Sequence, residues 1–253
     1  MTSVLKNLRR LPIRFLVRIG WIVPVVWLCC RFVKHLEIAE ATGPVVLAVN
    51  PARFRGDLEV LSYEQGVRIR IMSLPWQSFL YTCFYQEKDN CLLDRNIPRV
   101  AAAQAAYRAF LRKFLPRFYG SMGVQAVIGA ALIYRQDYDI VSVSHEIGIP
   151  ALILHREGNL GSDAIRRQFI ERYKTLDQFH GTKISVHNAI QKNLLIETGF
   201  ATPNQVTIGG NMRMDRFVRA VQAGAYEGQN GRPQNGGGRV TMFSFGPGTG
   251  NIS

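Results

Sequence analysis

The sequence lacks the short motifs by which many nucleotide- and metal-dependent enzymes are recognised. Its 253 residues contain no Gly-x-x-x-x-Gly-Lys-Ser/Thr loop, no Gly-x-Gly-x-x-Gly after the first predicted strand and no Gly-x-Ser-x-Gly elbow. Histidine and cysteine do not recur at the spacing of zinc ligands. These absences argue against a nucleoside triphosphatase, a dinucleotide-dependent enzyme, an α/β-hydrolase and a zinc hydrolase.

Cysteine is scarce, and its positions do not suit a disulfide framework. The four cysteines are Cys29, Cys30, Cys83 and Cys91, and no two of them form a Cys-x-x-Cys pair. No small-residue cleavage site follows the apolar run near the N-terminus, so the sequence shows no cleavable signal peptide. Reduced thiols and a cytoplasmic location are therefore expected.

Acidic residues are missing from the start of the chain, where the first is Glu37. The whole chain has 31 Lys and Arg against 18 Asp and Glu, a net charge of +13. Seven of the basic residues precede Glu37: Lys6, Arg9, Arg10, Arg14, Arg18, Arg31 and Lys34. This excess favours anionic partners. Because no nucleic-acid-binding motif is present, we expect no nucleic acid partner, and an anionic membrane surface becomes the leading candidate.

A long hydrophobic run is also missing. The apolar segment over residues 15–33 has a longest charge-free stretch of 12 residues, 19–30, whereas a membrane-spanning helix needs roughly 20. Two interpretations stay open. The segment lies on the anionic cytoplasmic leaflet with Trp21 and Trp27 at headgroup level, or it is a buried first helix that packs on a sheet while its arginines reach water.

Short apolar runs alternate with helical patterns from Pro44 onward. Strands are predicted over residues 45–49, 67–73, 126–130, 151–155, 184–187 and 206–208, and helices over 57–65, 99–118, 137–147, 162–179 and 189–198. Asn188 can cap the last helix and Gly199 can end it. The alternation predicts an α/β fold: a Rossmann-like parallel sheet with helices on both faces, over residues 43–223.

The remaining segments differ in composition. Residues 1–42 form the basic, apolar N-terminal segment, and residues 224–238 contain six glycines, which is typical of a linker. Residues 239–253 give one strand pattern and a glycine-rich loop, which cannot bury a core. We expect them to open a second α/β domain that the chain does not contain.

Polar residues follow most of the predicted strands. Ligands of an open parallel sheet bind at the carboxyl ends of its strands, so this edge holds the candidate site. The substrate-binding candidates after the first, fifth and sixth strands are Asn50, Arg53, His187, Asn188, Asn211 and Arg213. A phosphate or sugar acid could bind the arginine-rich first loop, although a solvated loop is an equal alternative.

His155 and Glu157 are the candidate catalytic pair after the fourth strand. Lying two residues apart, they share one face of an extended backbone. The pair could take a proton from a hydroxyl group, with Glu157 either acting directly as the base or orienting the imidazole of His155. Alternatively, Glu157 pairs with Arg156 or a helix start, and His155 is half-buried support. Gly209 and Gly210 are interpreted as a hinge, with a phosphate cradle as the alternative.

Four stretches carry a resemblance to a known family: residues 134–138 (YRQDY), 148–157 (GIPALILHRE), 183–188 and QVTIGGNMRMDRF. They resemble the amino-terminal half of GT-B glycosyltransferases of bacterial surface-carbohydrate synthesis, and more distantly the CDP-glycerol glycerophosphotransferases and UDP-N-acetylglucosamine 2-epimerases. The resemblance covers residues 120–217 closely and 43–119 loosely. Met212 departs from the family pattern, because it stands where such proteins commonly have proline.

The resemblance implies a metal-independent transferase of polysaccharide or lipopolysaccharide synthesis, peripheral on the inner face of the cytoplasmic membrane. This chain would be its acceptor domain, binding a sugar or glycolipid. The donor, a nucleotide sugar, would be held by the absent second domain, and no tightly bound cofactor is expected. The alternatives are a CDP-glycerol-dependent transferase, a UDP-sugar epimerase and a non-catalytic membrane-associated fragment.

Overall fold

The computed structural model describes residues 11–36, 41–50, 54–155, 160 and 162–223. Within these ranges the chain forms a seven-stranded sheet. The strands are β1 (Lys34–Leu36), β2 (Val45–Val49), β3 (Arg68–Met72), β4 (Ala126–Gly129), β5 (Ala151–Leu154), β6 (Lys183–Val186) and β7 (Val206–Ile208). Their order in the sheet is β1-β3-β2-β4-β5-β6-β7.

Strands β2 to β7 are parallel, and β1 runs antiparallel to β3 at the edge. All five residues of β2 are buried, because helices cover both faces of the sheet and an aliphatic run meets apolar side chains on each side. The predicted α/β, Rossmann-like fold is confirmed, and all six predicted strands are present within one or two residues of their predicted ends.

The helices of the described residues connect these strands. They are α1 (Leu11–Arg18), α2 (Ile22–Cys30), α3 (Arg55–Gln65), α4 (Leu74–Tyr81), α5 (Pro98–Met122), α6 (Arg135–Glu146), α7 (Asp163–Lys174), α8 (Ala189–Glu197) and α9 (Asp215–Gln222). A short 3-10 turn, Met212–Met214, precedes α9.

Helix α5 runs past its predicted end at residue 118 and contains Pro116 in its interior. The proline side chain is exposed, while Phe114, Leu115, Phe118 and Tyr119 around it are buried. Burial of these large side chains outweighs the roughly 3 kcal/mol that proline costs inside a helix. The helix ends where Gly123 takes the left-handed conformation at φ +66°.

Strand β1 and helices α4 and α9 were absent from the sequence prediction, and one helix was predicted too long. Strand β1 is three residues long and largely exposed, so it has no apolar pattern to reveal it. Helix α4 follows β3 at once, with its proline in the first turn. Helix α7 was predicted to reach residue 179 but ends at Lys174, because Phe179 turns into the core and its N–H bonds to Phe200 O at 2.7 Å.

The described part of the N-terminal segment contains two helices, α1 and α2, which are separated at Gly20 with φ +73°. Ile13, Val17, Val25, Val26 and Cys29 are buried in the same hydrophobic cluster as the inner face of α5. The segment therefore has a packed inner face, as the buried-helix interpretation predicts, but α2 packs mainly on α5 rather than on the sheet. Within the described ranges, every helix is too short or too polar to cross a bilayer.

The order in which successive parallel strands are added to the sheet reverses once, at β2. From β2 the chain moves to β3 on one side, and then crosses β2 to place β4 on its other side. Ligands of such sheets bind in the crevice at this switch point, beyond the carboxyl ends of the strands. The fold therefore places a candidate site where β2 and β4 end.

The chain divides into two compact units, with the first reaching Arg213 and the second beginning at Met214. In the described part of the second unit, helix α9 exposes Phe217, Val218 and Val221. The linker predicted over 224–238 and the strand predicted within 239–253 lie outside the described residues.

Candidate functional site

Asn50 ends the first parallel strand in a strained conformation. Its φ is +53°, and among the described residues it is the one non-glycine residue with positive φ. Its side chain is only 4% exposed. Asparagine tolerates this left-handed region better than most residues, yet the conformation still costs about 1 kcal/mol or more. Backbone strain of this kind concentrates at functional sites.

Gln77 of α4 lies beside Asn50 and is fully buried. With its amide oriented to satisfy both atoms, Oε1 accepts from Asn50 N at 2.8 Å and Nε2 donates to Asp137 Oδ1 at 3.2 Å. The opposite orientation offers one bond to Met72 O at 3.3 Å, so the first orientation is preferred. The amide joins the exit of β2 to the helix that follows β4.

Asp137 completes this buried cluster from the first turn of α6, and it is 1% exposed. Burial raises the pKa of the Asp137 carboxyl from its ordinary value of 3.8 to about 7, and a side-chain hydrogen bond from Asn50 partly opposes this rise. A carboxyl group with a pKa near neutrality can both accept and return a proton under physiological conditions.

Two polar atoms of the cluster have no hydrogen-bond partner among the described residues: Asn50 Oδ1 and Asp137 Oδ2. Buried polar atoms are almost always paired, so these two unpaired acceptors require an explanation. Each can accept a hydrogen bond from a hydroxyl group or a water molecule.

His155 follows β5 at the same edge of the sheet. Its backbone N–H donates to Ser185 O at 2.8 Å, which extends the β5–β6 pairing, and its side chain is 2% exposed. Strands β2 and β5 are parallel and separated by β4 alone, so Asn50 and His155 lie on one rim, roughly 10 Å apart by strand spacing. The predicted convergence of these two residues is therefore present, although His155 is more deeply buried than the half-buried state considered from sequence.

His187 and Asn188 follow β6, where both take part in the start of α8. Asn188 Oδ1 accepts from Gln191 N at 3.0 Å, and His187 N donates to Gln191 Oε1 at 2.8 Å. The predicted helix cap is confirmed, as is the left-handed Gly199 at φ +72°. A substrate-binding role for these two residues stays a prediction.

The segment that follows β7, residues 209–213, crosses the carboxyl edge of the sheet, and we call it the crossing segment. It begins at the edge strand β7 and reaches the start of α3, where Arg213 N donates to Asp57 Oδ1 at 3.2 Å. Since β4, β5 and β6 lie between β7 and β2, the segment passes over the exits of those strands. Arg213 Nε also donates to Asn211 Oδ1 at 3.1 Å. The predicted residues Asn211 and Arg213 are thus held together at this edge.

Gly209 and Gly210 each have a local steric reason to be glycine. A Cβ on Gly209 would lie 2.2 Å from Ser185 Oγ, which is far inside van der Waals contact, and Gly210 has φ +67°. Close packing on β6 accounts for the first glycine and the turn accounts for the second. The hinge interpretation remains a prediction.

Arg53 and Glu157 lie outside the described residues, so their predicted roles stay predictions. Sequence reasoning missed Asp137 and Gln77 as members of the site. The available signal for Asp137 was its place in the first turn of the helix that follows a strand, within Tyr134–Tyr138; nothing in the sequence marked Gln77, because its helix was not predicted. Among the described residues, His, Cys, Asp and Glu form no group of three that could hold a metal ion.

Comparison with models of known protein families gives no match to this chain, and a search of curated proteins gives none either. What the chain does must therefore be argued from the geometry of the carboxyl edge.

Proposed function

We propose that this chain is the acceptor-binding domain of a GT-B-type glycosyltransferase that builds a bacterial surface polysaccharide or lipopolysaccharide. The observation that carries the proposal is the buried Asn50–Gln77–Asp137 cluster at the switch point of the sheet. It combines backbone strain, two unpaired acceptor atoms and a carboxyl group whose pKa lies near 7. The resemblance of four sequence stretches supplies the reaction class.

Transfer of a sugar to a hydroxyl group requires removal of the hydroxyl proton as the new glycosidic bond forms. Asp137 is suited to take that proton, because a carboxylate with a pKa near neutrality returns it readily to solvent. Asn50 Oδ1 would orient the same hydroxyl group. His155, which follows β5 at the same edge, and Glu157, two residues later in the sequence, are rival carriers of the proton.

The donor in this proposal is a nucleotide sugar held by a second domain. In the first unit, Arg213 and Asn211 at the end of the crossing segment are the groups placed to meet the donor phosphates from the acceptor side. The exposed apolar side chains Phe217, Val218 and Val221 of α9 favour a further protein surface after the first unit.

The proposal also places the protein at the inner face of the cytoplasmic membrane, where glycolipid acceptors reside. The excess of basic residues in the N-terminal segment, which has no acidic residue before Glu37, supports this placement.

A transfer assay tests the reaction. A version of the chain joined to its proposed second domain is incubated with labelled sugar nucleotides, CDP-glycerol and a lipid-linked saccharide extract. We expect label to move from a sugar nucleotide to the extract, and Asp137→Asn to lower kcat by about 10²–10⁴-fold. The matched control is Asp163→Asn, whose side chain is exposed and lies on α7.

Each alternative has its own readout in this assay. Consumption of CDP-glycerol alone would favour the glycerophosphotransferase, and conversion of a UDP-sugar without acceptor would favour the epimerase. An unchanged rate for Asp137→Asn with a large loss for Glu157→Gln would move the proton transfer to Glu157. Calorimetry on the present chain adds a separate test, since tight binding of a sugar nucleotide to it would contradict a donor site in a second domain.

A further inference from the structure

Helix α2 is apolar on every side, yet it leaves large apolar side chains exposed. Its sequence, Ile22–Cys30, is IVPVVWLCC and contains no charged residue. Val25, Val26 and Cys29 are buried against α5, whereas Val23 is 67% and Trp27 56% exposed. A helix on the surface of a water-soluble domain normally carries polar residues on its outer face, and one that is apolar all round is covered by something.

Helix α7 of the same chain shows the usual pattern of a surface helix. Helix α7, DAIRRQFIERYK, buries Tyr173 and presents mainly charged residues outward. Among the described residues, six of the sixteen exposed large hydrophobic side chains fall within residues 15–32, in and beside α1 and α2: Phe15, Ile19, Trp21, Val23, Trp27 and Phe32. This concentration marks an interaction surface rather than scattered surface residues. We call these six side chains the apolar face.

The charges around the apolar face are of one sign. Arg18, Arg31 and Lys34 are exposed, and no acidic residue occurs between residues 11 and 36. The Arg31 guanidinium lies over the Trp27 ring at 4.3 Å from its centroid, which holds a cation beside an exposed indole. Tryptophan together with arginine at the rim of an apolar surface is the composition of a helix that lies in a membrane interface.

The apolar face continues onto α5. A groove of ≈ 460 Å³ runs between the two helices and is lined by Val23, Val26, Pro116, Arg117, Gly120 and Ser121. Apolar walls with an arginine at the rim suit a hydrocarbon chain whose phosphate remains at the surface.

The length of α2 determines how the helix can contact a bilayer. Its nine residues extend about 14 Å, roughly half the thickness of a bilayer's hydrocarbon core. The helix can lie in the interface but cannot cross it.

We propose that the apolar face docks in the interfacial layer of an anionic lipid bilayer, with Trp21 and Trp27 inserted among the headgroups and Arg18, Arg31 and Lys34 on acidic phosphates. A lipid surface fits better than a protein partner, because the face combines apolar side chains with cations and offers no acidic residue for a complementary protein pair. This docking deepens the proposed function by naming the residues that hold the protein on the membrane. Lipid binding itself is independent of sugar transfer, since it requires neither donor nor acceptor.

The docked protein would present its carboxyl edge close to the bilayer. Phe32, at the end of the apolar face, stacks on Trp76 with ring centroids 4.3 Å apart, and Trp76 lies in the first turn of α4, directly beyond the exit of β3. The face therefore extends to the same rim of the sheet as Asn50.

Co-sedimentation with lipid vesicles tests the docking. The full chain is mixed with vesicles of phosphatidylcholine alone or with added phosphatidylglycerol, at low and at raised salt. We expect binding to the anionic vesicles, weakened by salt, with a blue shift of tryptophan fluorescence. Trp21→Ser with Trp27→Ser should weaken binding by about tenfold or more, and Arg18→Gln with Arg31→Gln by about tenfold to thirtyfold, on the anionic vesicles.

The matched control is Ile165→Ser with Ile190→Ser, which removes two exposed isoleucines from helices α7 and α8. It should bind like the unaltered chain, and thermal melts should show all variants folded. Equal binding by the tryptophan variant, or equal loss in the isoleucine control, would overturn the proposal. So would a chain that ignores vesicles but forms a dimer that Trp27→Ser dissociates, because the apolar face would then bind a second copy.

Discussion

The backbone nitrogen of Arg213 donates a hydrogen bond to the Asp57 carboxylate, so the end of the last strand is tied to the first turn of the first helix after β2. Asp57 is 4% exposed and its Oδ1 also lies 3.7 Å from Arg213 Nε. This carboxylate therefore anchors the segment that crosses the carboxyl edge.

Removing this anchor should release the crossing segment. Asp57→Ala leaves Arg213 N without its acceptor, so we expect trypsin to cleave after Arg213 several-fold faster than in the unaltered chain. Mass spectrometry of timed digests measures the rate, and Asp163→Ala serves as a control because Asp163 contacts Arg166 at the surface. An unchanged cleavage rate would show that the segment is held by other contacts.

The raised pKa of Asp137 makes stability depend on pH. Because its pKa is about 7 in the folded chain and near 3.8 when exposed, the protonated carboxyl is favoured by folding. Its stabilising contribution is complete below about pH 4 and is lost as the pH rises toward 7. We expect Asp137→Asn to gain stability relative to the unaltered chain over this window, by up to about 4 kcal/mol.

Urea unfolding of both proteins between pH 4 and 8 measures this difference, and the comparison cancels the titration of other carboxyl groups. Asp163→Asn should show no such change, because its side chain is 85% exposed. A difference that stays constant with pH would mean that Asp137 is ionised throughout the range.

The backbone strain at Asn50 predicts different stabilities for two substitutions that both remove its side-chain amide. Asn50→Gly accepts the observed φ of +53° without steric cost, whereas Asn50→Ala does not. We expect the alanine variant to be less stable than the glycine variant by about 1 kcal/mol in urea unfolding. Both should raise the pKa of Asp137 further, since the hydrogen bond that lowers it is gone, and carboxyl NMR titration measures this shift. Equal stability of the two variants would argue against strain.

The close approach of Gly209 to Ser185 predicts that a substitution of Ser185 compensates for a side chain added at Gly209. Gly209→Ala places a methyl group 2.2 Å from Ser185 Oγ and should cost about 1–3 kcal/mol. The Ser185 Cβ lies 3.6 Å from the same point, an ordinary contact. Ser185→Ala should therefore restore most of the stability in the double variant, while changing little alone. A purely additive double-mutant cycle would contradict the close approach.

Sequence patterns were sufficient to predict the parallel sheet, because most of its strands are short, mainly aliphatic runs bounded by turn residues. They failed for β1, whose three residues gain their strand conformation only by pairing with β3, and for α4, which has no polar linker before it. The gathering of Asn50 and His155 on one rim followed from strand direction alone. Asp137 and Gln77 could not be found in this way, since their burial depends on tertiary packing of helices around the switch point.

The order of strands also governs when the site can form during synthesis. Strand β2 has its neighbours β3 and β4 on opposite sides, and the long helix α5 must be made before β4 emerges from the ribosome. Until then the backbone N–H and C=O groups on one flank of β2 are unpaired, and the Asn50 side chain lacks its hydrogen bond to Asp137. The nascent chain therefore pairs the second flank of β2 and brings Asp137 to Asn50 at the same stage of synthesis, once β4 and α6 have been made.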